Sequence, residues 1–145
     1  MAKALVIFAS RTGETEKIGQ FIAEGLRMGG IETTLRKAGD IQSEAQLEGY
    51  DAVVLGSATY HGEMLQSMKT LLFIAEKADL KAKAGGAFGA FGWSGEAPER
   101  IHDTMRHIFQ MDMTADPLRL KSTTLGGGIQ MAQDYGRAIA QKLSP

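Results

Sequence analysis

Cysteine is absent from this chain of 145 residues. Without a thiol there is no disulfide, Fe–S cluster, thiolate zinc site or cysteine nucleophile. The chain also lacks an excess of charge of either sign, since its net charge is -1. It therefore has no basic field for binding nucleic acid or for a polybasic contact with a membrane. The longest apolar runs, such as residues 4–9, are far shorter than a membrane span requires. That run follows the first three residues directly, without a signal-peptide pattern, so a cytoplasmic location is expected.

Short strand-like segments alternate with helix-like segments along the chain. Five segments have the strand character: residues 4–9, 31–36, 52–55, 86–91 and 115–120. The first and third are continuously apolar, which is typical of strands covered on both faces of a parallel sheet. The second alternates, and the fifth contains Pro117, so both are predicted to be edge strands; the fourth is rich in glycine.

Apolar residues at helical spacing predict four helices between and after these strands. The four apolar stripes are Ile18, Phe21, Ile22 and Leu26; Leu65, Met68, Leu71, Leu72 and Ala75; Ile101, Met105, Ile108 and Phe109; and Ala132, Tyr135, Ile139 and Leu143. Gly29 and Gly30 end the first helix, and a short helix is expected after Asp40. The pattern predicts an α/β three-layer sandwich, in which a five-stranded parallel sheet of order 2-1-3-4-5 has helices on both faces.

Ligands of such sheets bind beyond the carboxyl ends of the strands, where the strand order reverses. The first loop there runs from Ser10 to Thr15 and leads straight into a helix. Its three hydroxyls, its glycine and its free N–H groups could bind an anion, although the same residue types also serve as ordinary helix caps. The loop lacks both the Walker pattern and the dinucleotide fingerprint.

Two more loops at this edge carry aromatic residues. The second, residues 56–62, places Tyr60 and His61 between small residues, where a ring could face a flat ligand or simply lie on the surface. The third, residues 91–97, holds Trp93, the only tryptophan of the chain. A tryptophan in a Gly/Ser loop suggests stacking on a ligand, and the flanking glycines let backbone N–H groups come close to it.

Together the three loops resemble those of flavodoxins. Residues 10–15 look like the flavodoxin phosphate loop, Ser/Thr-x-Thr-Gly-x-Thr. Residues 56–62 and 91–96 look like the two flavin-ring loops, especially those in the flavodoxin module of flavodiiron (A-type) flavoproteins. The resemblance extends from about Ala4 to the final helix, and the predicted strand order is one known from flavodoxins. It implies a single flavodoxin-like FMN-binding domain over residues 1–145, of the short-chain type.

The resemblance also implies roles for individual residues around a non-covalently bound FMN. The phosphate would be held by Ser10, the backbone at Arg11, Thr12, Gly13, Glu14 and Thr15. One side of the isoalloxazine would be lined by Ser57, Ala58, Thr59, Tyr60, His61 and Gly62, with Tyr60 or His61 against a ring face. The other side would be lined by Phe91, Gly92, Trp93, Ser94, Gly95 and Glu96, with Trp93 as the second wall. In the family a peptide near the flavin N5 reorients to bond the semiquinone, and here Gly62 or the His61–Gly62 peptide would do so.

The function implied is that of a low-potential one-electron carrier, a monomer that shuttles electrons between redox partner proteins and has no catalytic residue of its own. Aromatic walls desolvate the flavin and penalise its anionic reduced form, and negative charge at Glu63, Glu96 and the FMN phosphate would add to that penalty. Many flavodoxins are strongly acidic, whereas this chain is almost balanced in charge, so steering toward partners is expected to be local. The third loop carries Trp93 in place of the Asp-x-x-Tyr arrangement of many flavodoxins.

The same residues bear on three alternative functions. An FMN-dependent NAD(P)H:quinone oxidoreductase on the same fold needs room for a nicotinamide or a quinone, and no added segment supplies it. A fragment of a flavodiiron protein is disfavoured by the start at Met1 and by a final helix that ends near Ser144. A phosphorelay receiver needs acidic residues where Ser10 and Ser57 stand. No metal site is expected, because His102 and His107 are five residues apart and point to different faces of a helix.

Overall fold

The chain folds into one parallel sheet between two layers of helices. The computed structural model describes residues 2–91, 95–124 and 126–143. Its elements, in chain order, are β1 (Lys3–Ala9), α1 (Glu14–Met28), β2 (Glu32–Lys37), β3 (Ala52–Ser57), β4 (Thr59–Tyr60), β5 (Glu63–Met64), α2 (Gln66–Ala75), β6 (Ala84–Ala90), α3 (Glu96–Asp103), β7 (Asp112–Met113), β8 (Leu118–Leu120) and α4 (Gly128–Leu143). None of the helices in these ranges is long and apolar enough to cross a bilayer.

The order of the main sheet confirms the predicted 2-1-3-4-5 arrangement. It runs β2-β1-β3-β6, and β7 and β8 share the outer edge of β6. All of these pairings are parallel. In the register, Ala9 lies beside Ser57 and Gly56 lies beside Phe88. The carboxyl ends of β1, β3 and β6 therefore meet at one edge of the sheet.

Strand residues alternate between two separate cores, one on each face. Val6 and Phe8 of β1 point into the core under α1 and α4. Leu5 and Ile7 point into the core under α2 and α3. This alternation explains why β1 is apolar at every position from Ala4 to Ala9, since both of its faces are buried there. The prediction of helices on both faces is confirmed.

Helices α1 and α4 approach each other closely because glycine lies at their crossing. A Cβ added to Gly136 would lie 2.1 Å from the carbonyl oxygen of Ile22, and one added to Gly25 would lie 2.0 Å from that of Gln133. No side chain fits at such distances, so the two helices pack backbone against backbone.

Of the predicted fifth strand, residues 115–120, only Leu118–Leu120 forms a strand, β8, and a separate short strand, β7, precedes it at Asp112–Met113. β7 pairs with Ala84 and Gly85, and β8 pairs with residues 88–90 of β6, with a break that contains Pro117. Ala87 of β6 faces this break, and the Tyr135 hydroxyl of α4 fills the gap in the ladder. The hydroxyl accepts a hydrogen bond from the Ala87 N–H at 3.1 Å and donates one to the Ala87 carbonyl at 3.2 Å.

Helix geometry corrects one further prediction. Ile108 was expected in a buried stripe but is 61% exposed, whereas Met105 and Phe109 are buried. The chain widens into a π turn over Thr104–Ile108, and the extra residue in that turn rotates Ile108 out of the core. The short helix expected after Asp40 is present as a 3₁₀ helix at Glu44–Leu47, and a second 3₁₀ turn spans Ala38–Asp40.

Candidate functional site

The three predicted loops lie together at the carboxyl edge of the sheet. Three hydrogen bonds connect them: Ala58 N–H to the Ala9 carbonyl at 3.1 Å, Ala90 N–H to Thr15 Oγ1 at 3.2 Å, and Ala97 N–H to Thr59 Oγ1 at 3.1 Å. The first joins loop one to loop two, the second ties loop one to the end of β6, and the third joins loop two to α3. Gly92, Trp93 and Ser94 of the third loop lie outside the described residues.

The first loop presents backbone donors at the start of α1. Gly13 caps the helix in the left-handed conformation, at φ 93°, and its N–H donates to Ser10 Oγ at 3.0 Å. The first helical hydrogen bond runs from the Lys17 N–H to the Gly13 carbonyl. The N–H groups of the first three helical residues therefore have no acceptor within the helix. A Cβ placed on Gly13 would meet nothing within 4 Å, so the loop is open beside this residue.

The side chains of this loop differ in what they offer an anion. Thr12 is exposed, and Thr15 is buried with its hydroxyl oxygen accepting from β6, which leaves its proton free to donate. Glu14 is unfavourable: Oε2 is buried without a hydrogen bond, and Oε1 lies 3.5 Å from Lys17 Nζ. The loop thus fits a phosphate through its N–H groups and hydroxyls, while the carboxylate of Glu14 opposes one.

The second loop is a small β-hairpin that the sequence did not predict. Thr59 pairs with Met64 and Tyr60 pairs with Glu63 in β4 and β5. The two residues between the strands both have positive φ, 52° at His61 and 75° at Gly62, as a type I′ turn requires. The signal was present as a two-residue turn ending in glycine, but the strands on either side are too short to show a pattern. The hairpin holds Tyr60 out over the edge of the sheet.

Ser57, predicted to line the ring, serves the scaffold with its side chain. It is fully buried, its hydroxyl donates to the Ala58 carbonyl at 2.9 Å, and its oxygen accepts from the Leu65 N–H at 3.0 Å. Both hydrogen-bonding roles are therefore taken by the base of the hairpin. Only the backbone of Ser57 is left to meet a ligand.

Glu63 ties the hairpin to the helices on either side. Its two oxygens lie 2.6 Å from Lys69 Nζ of α2 and 2.6 Å from Arg100 Nη1 of α3. The hydrogen bond and the charge of Lys69, together with the charge of Arg100, lower the pKa of Glu63. Its negative charge is thus balanced by two cations, so the expectation that Glu63 penalises a reduced flavin loses its basis. Sequence reasoning missed this pairing because the three residues come from three separate elements.

Tyr60 carries the exposed aromatic surface of the site. Its side chain is 45% exposed, and the guanidinium carbon of Arg11 lies 3.7 Å from its ring centroid. The ring of His61 lies beside it, with 4.1 Å between centroids and a tilt of 59°. Only the backbone of Arg11 was predicted to take part, so its stacking on Tyr60 is a new feature of the site.

The described part of the third loop frames the opposite side. The Phe91 N–H donates to the Leu120 carbonyl at 3.1 Å, and Gly95 is the N-cap of α3, which begins at half-buried Glu96. Within the described ranges no group of three His, Cys, Asp or Glu side chains could hold a metal ion. The site thus combines hydrogen-bond donors of the first loop with the aromatic surface of Tyr60 at one edge of the sheet. This combination suits a phosphorylated ligand with a flat ring.

A doubly wound α/β domain with such a site at the point where the strand order reverses belongs to the nucleotide- and flavin-binding class. The flavodoxin domain model matches residues 5–135. The chain therefore belongs to the flavodoxin domain family, whose cofactor is a flavin.

Comparison with known proteins shows two kinds of relative. The chain is 28% identical to a rubredoxin-oxygen oxidoreductase of Megalodesulfovibrio gigas over 98% of its own length and 37% of that protein's. It is 27% identical to the type A flavoprotein fprA of Rhodobacter capsulatus, spanning 97% of this chain and 33% of that one. It also superimposes on a flavodoxin from the domain Archaea with a TM-score of 0.90 and 29% identity, covering 97% of this chain and 98% of that one. The chain thus spans about a third of the curated relatives and nearly all of the archaeal flavodoxin.

Proposed function

We propose that this chain holds one FMN non-covalently and carries single electrons between redox partner proteins. The observation that carries the proposal is the first loop, where N–H groups at the start of α1 have no acceptor within the helix and the neighbouring Arg11 contacts an exposed tyrosine, Tyr60. When bound, FMN would supply the one-electron chemistry, and the protein would supply binding, orientation and electrostatics.

The phosphate end of the cofactor fits the first loop. Donors there are the N–H groups of the first helical turn and the hydroxyls of Thr12 and Thr15, while Ser10 holds Gly13 in place. Hydrogen bonds to a charged phosphate are about twice as strong as neutral ones. The dipole of α1 adds to them at the same point. This end of the site would therefore provide most of the affinity.

The ring end fits between the hairpin and the third loop. Tyr60 offers a face of aromatic surface, and the hairpin is held rigid by Ser57, Thr59 and Glu63. A rigid wall loses little entropy on binding, which favours a flat ligand that stacks. The protein's role at the ring is to exclude water and to fix the ring's orientation.

A carrier role is supported by the likeness to a flavodoxin from the domain Archaea. The chain superimposes on that flavodoxin with a TM-score of 0.90 at 29% identity. We infer that electrons leave through the exposed edge near Tyr60, toward a partner that docks there.

The binding half of the proposal is tested by comparing FMN with riboflavin, which lacks the phosphate. With the cofactor-free protein, quenching of flavin fluorescence is expected to show FMN binding about a hundredfold tighter or more, from several charge-assisted hydrogen bonds. Equal affinities would contradict the phosphate site, and failure of both flavins to bind would contradict the function.

A matched pair of variants locates the phosphate within the first loop. Gly13→Ala places a side chain at φ 93° without a clash and is expected to weaken FMN binding about five- to tenfold through backbone strain. Gly39→Ala adds the same methyl group to open space at an ordinary φ and should leave the affinity unchanged. Equal affinities for the two variants would place the phosphate elsewhere.

A further inference from the structure

Arg11 makes a contact that the phosphate loop does not require. Its guanidinium carbon lies 3.7 Å from the centroid of the Tyr60 ring, a distance at which a cation is attracted to the ring face. Within residues 2–91, 95–124 and 126–143, the Arg11 side chain has no ion pair with a carboxylate. Its position is therefore set by Tyr60 and not by an acidic partner.

Arg11 lies on the β2 side of the hairpin. It lines a cleft of about 330 Å³ together with Lys37 at the end of β2, Asp40 shortly after it and Ser67 at the start of α2. In the order β2-β1-β3-β6, the hairpin follows β3, so β2 lies on one side of it and β6 on the other. The Arg11 side chain therefore reaches the Tyr60 ring from the β2 side.

We propose that Arg11 is a positioning residue, which braces Tyr60 from behind as a wall of the flavin site and holds a positive charge one ring away from the flavin. This inference rests on the proposed function. The brace keeps Tyr60 in one orientation, although the ring is half exposed and lies at the tip of a two-residue strand. The charge favours whichever redox state of the ligand is more negative.

Two effects follow, and they can be measured separately. Loss of the brace should weaken binding of oxidised FMN about two- to fivefold, the usual worth of a cation–π contact at an exposed site. Loss of the charge should weaken binding of reduced FMN about threefold more than it weakens binding of oxidised FMN. The difference is this small because water screens the Coulomb attraction between the Arg11 charge and the reduced flavin. The midpoint potential of bound FMN should therefore become more negative.

Three variants separate the brace from the charge. Arg11→Met keeps the length of the side chain but removes the charge, and both effects are expected. Arg11→Lys keeps the charge with a poorer stack, so the potential should stay close to that of the original protein while affinity falls. Lys37→Met removes a positive charge from the same cleft without touching Tyr60 and should change neither quantity measurably.

The readouts are the dissociation constant of oxidised FMN and the midpoint potential of the complex, each measured also in a Tyr60→Leu background. If Arg11 acts through the ring, Arg11→Met should have little effect on FMN affinity once Tyr60 is gone. Equal potential shifts in Arg11→Met and Lys37→Met would overturn the inference, because any nearby cation would then serve. An Arg11→Met protein that matches the original in affinity and potential would also overturn it, with the proposed function intact. Failure of the original protein to bind FMN would overturn both.

Discussion

The hydroxyl of Tyr135 offers a sharp test of how the broken edge strand is tolerated. Ala87 lies opposite the break between β7 and β8, and its N–H and carbonyl would be buried without partners if that hydroxyl were missing. Tyr135→Phe removes one oxygen and leaves the ring in the core. The variant should therefore fold normally and lose stability only through the two orphaned backbone groups.

The expected loss is about 2–3 kcal/mol, since each buried polar group left unsatisfied costs about 1–3 kcal/mol and relaxation recovers a part. For a domain of this size that corresponds to a fall in Tm of about 5–10 °C. Urea unfolding followed by far-UV circular dichroism measures it. Tyr50→Phe is the control, because the Tyr50 ring is half-buried and its hydroxyl has no hydrogen bond among the described residues. The free energy of unfolding of this variant should differ from that of the original protein by less than about 0.5 kcal/mol.

Tyr135 should also make the stability of the protein depend on pH in the alkaline range. Burial raises the pKa of Tyr135 to about 12, against 10 for the unfolded chain. The pKa of Tyr135 is higher in the folded than in the unfolded protein, so the protonated hydroxyl contributes fully to the free energy of unfolding below pH 10. As the pH rises from 10 toward 12, the free energy of unfolding should fall by about 3 kcal/mol. The stability difference between the original protein and Tyr135→Phe should narrow over that range. A difference that is negligible at pH 7, or that is constant up to pH 12, would refute the reasoning.

Two further predictions concern packing and charge. Gly136→Ala should destabilise the protein by about 1–3 kcal/mol in urea unfolding, because the added Cβ would lie 2.1 Å from the Ile22 carbonyl oxygen. This loss is expected although alanine has a better helix propensity than glycine. A variant as stable as the original would show that α1 and α4 can move apart without cost. Glu14→Gln should strengthen FMN binding about three- to tenfold and leave riboflavin binding unchanged, because it removes a carboxylate beside the donors of the phosphate loop. Both affinities are measured by fluorescence titration, and an unchanged ratio between them would contradict the placement of the phosphate.

Much of the fold could be predicted because its signals are local. The continuous apolar runs of β1 and β3 require burial on both faces, and only the interior of a parallel sheet provides it. Pro117 and the alternating second strand marked the two edges. The loops at the carboxyl ends then had to lie together, whatever their own conformation.

The features that escaped prediction depend on contacts between distant residues. The break in the fifth strand is tolerated because Tyr135, on another element, supplies the missing hydrogen bonds. Ile108 is exposed because a π turn changes the helical phase, and a fixed period of 3.6 residues cannot show that. The pairing of Glu63 and the stacking of Arg11 on Tyr60 likewise join elements that are far apart in the chain.

Stepwise anaerobic reduction of the purified protein, followed by visible absorption, tests most directly whether it carries single electrons on FMN, and the released cofactor is identified by mass. A flavin spectrum, the mass of FMN and two separated one-electron steps are expected. FMN that takes up both electrons in a single step would contradict the carrier role. A colourless protein that cannot be reconstituted with FMN would contradict the site itself.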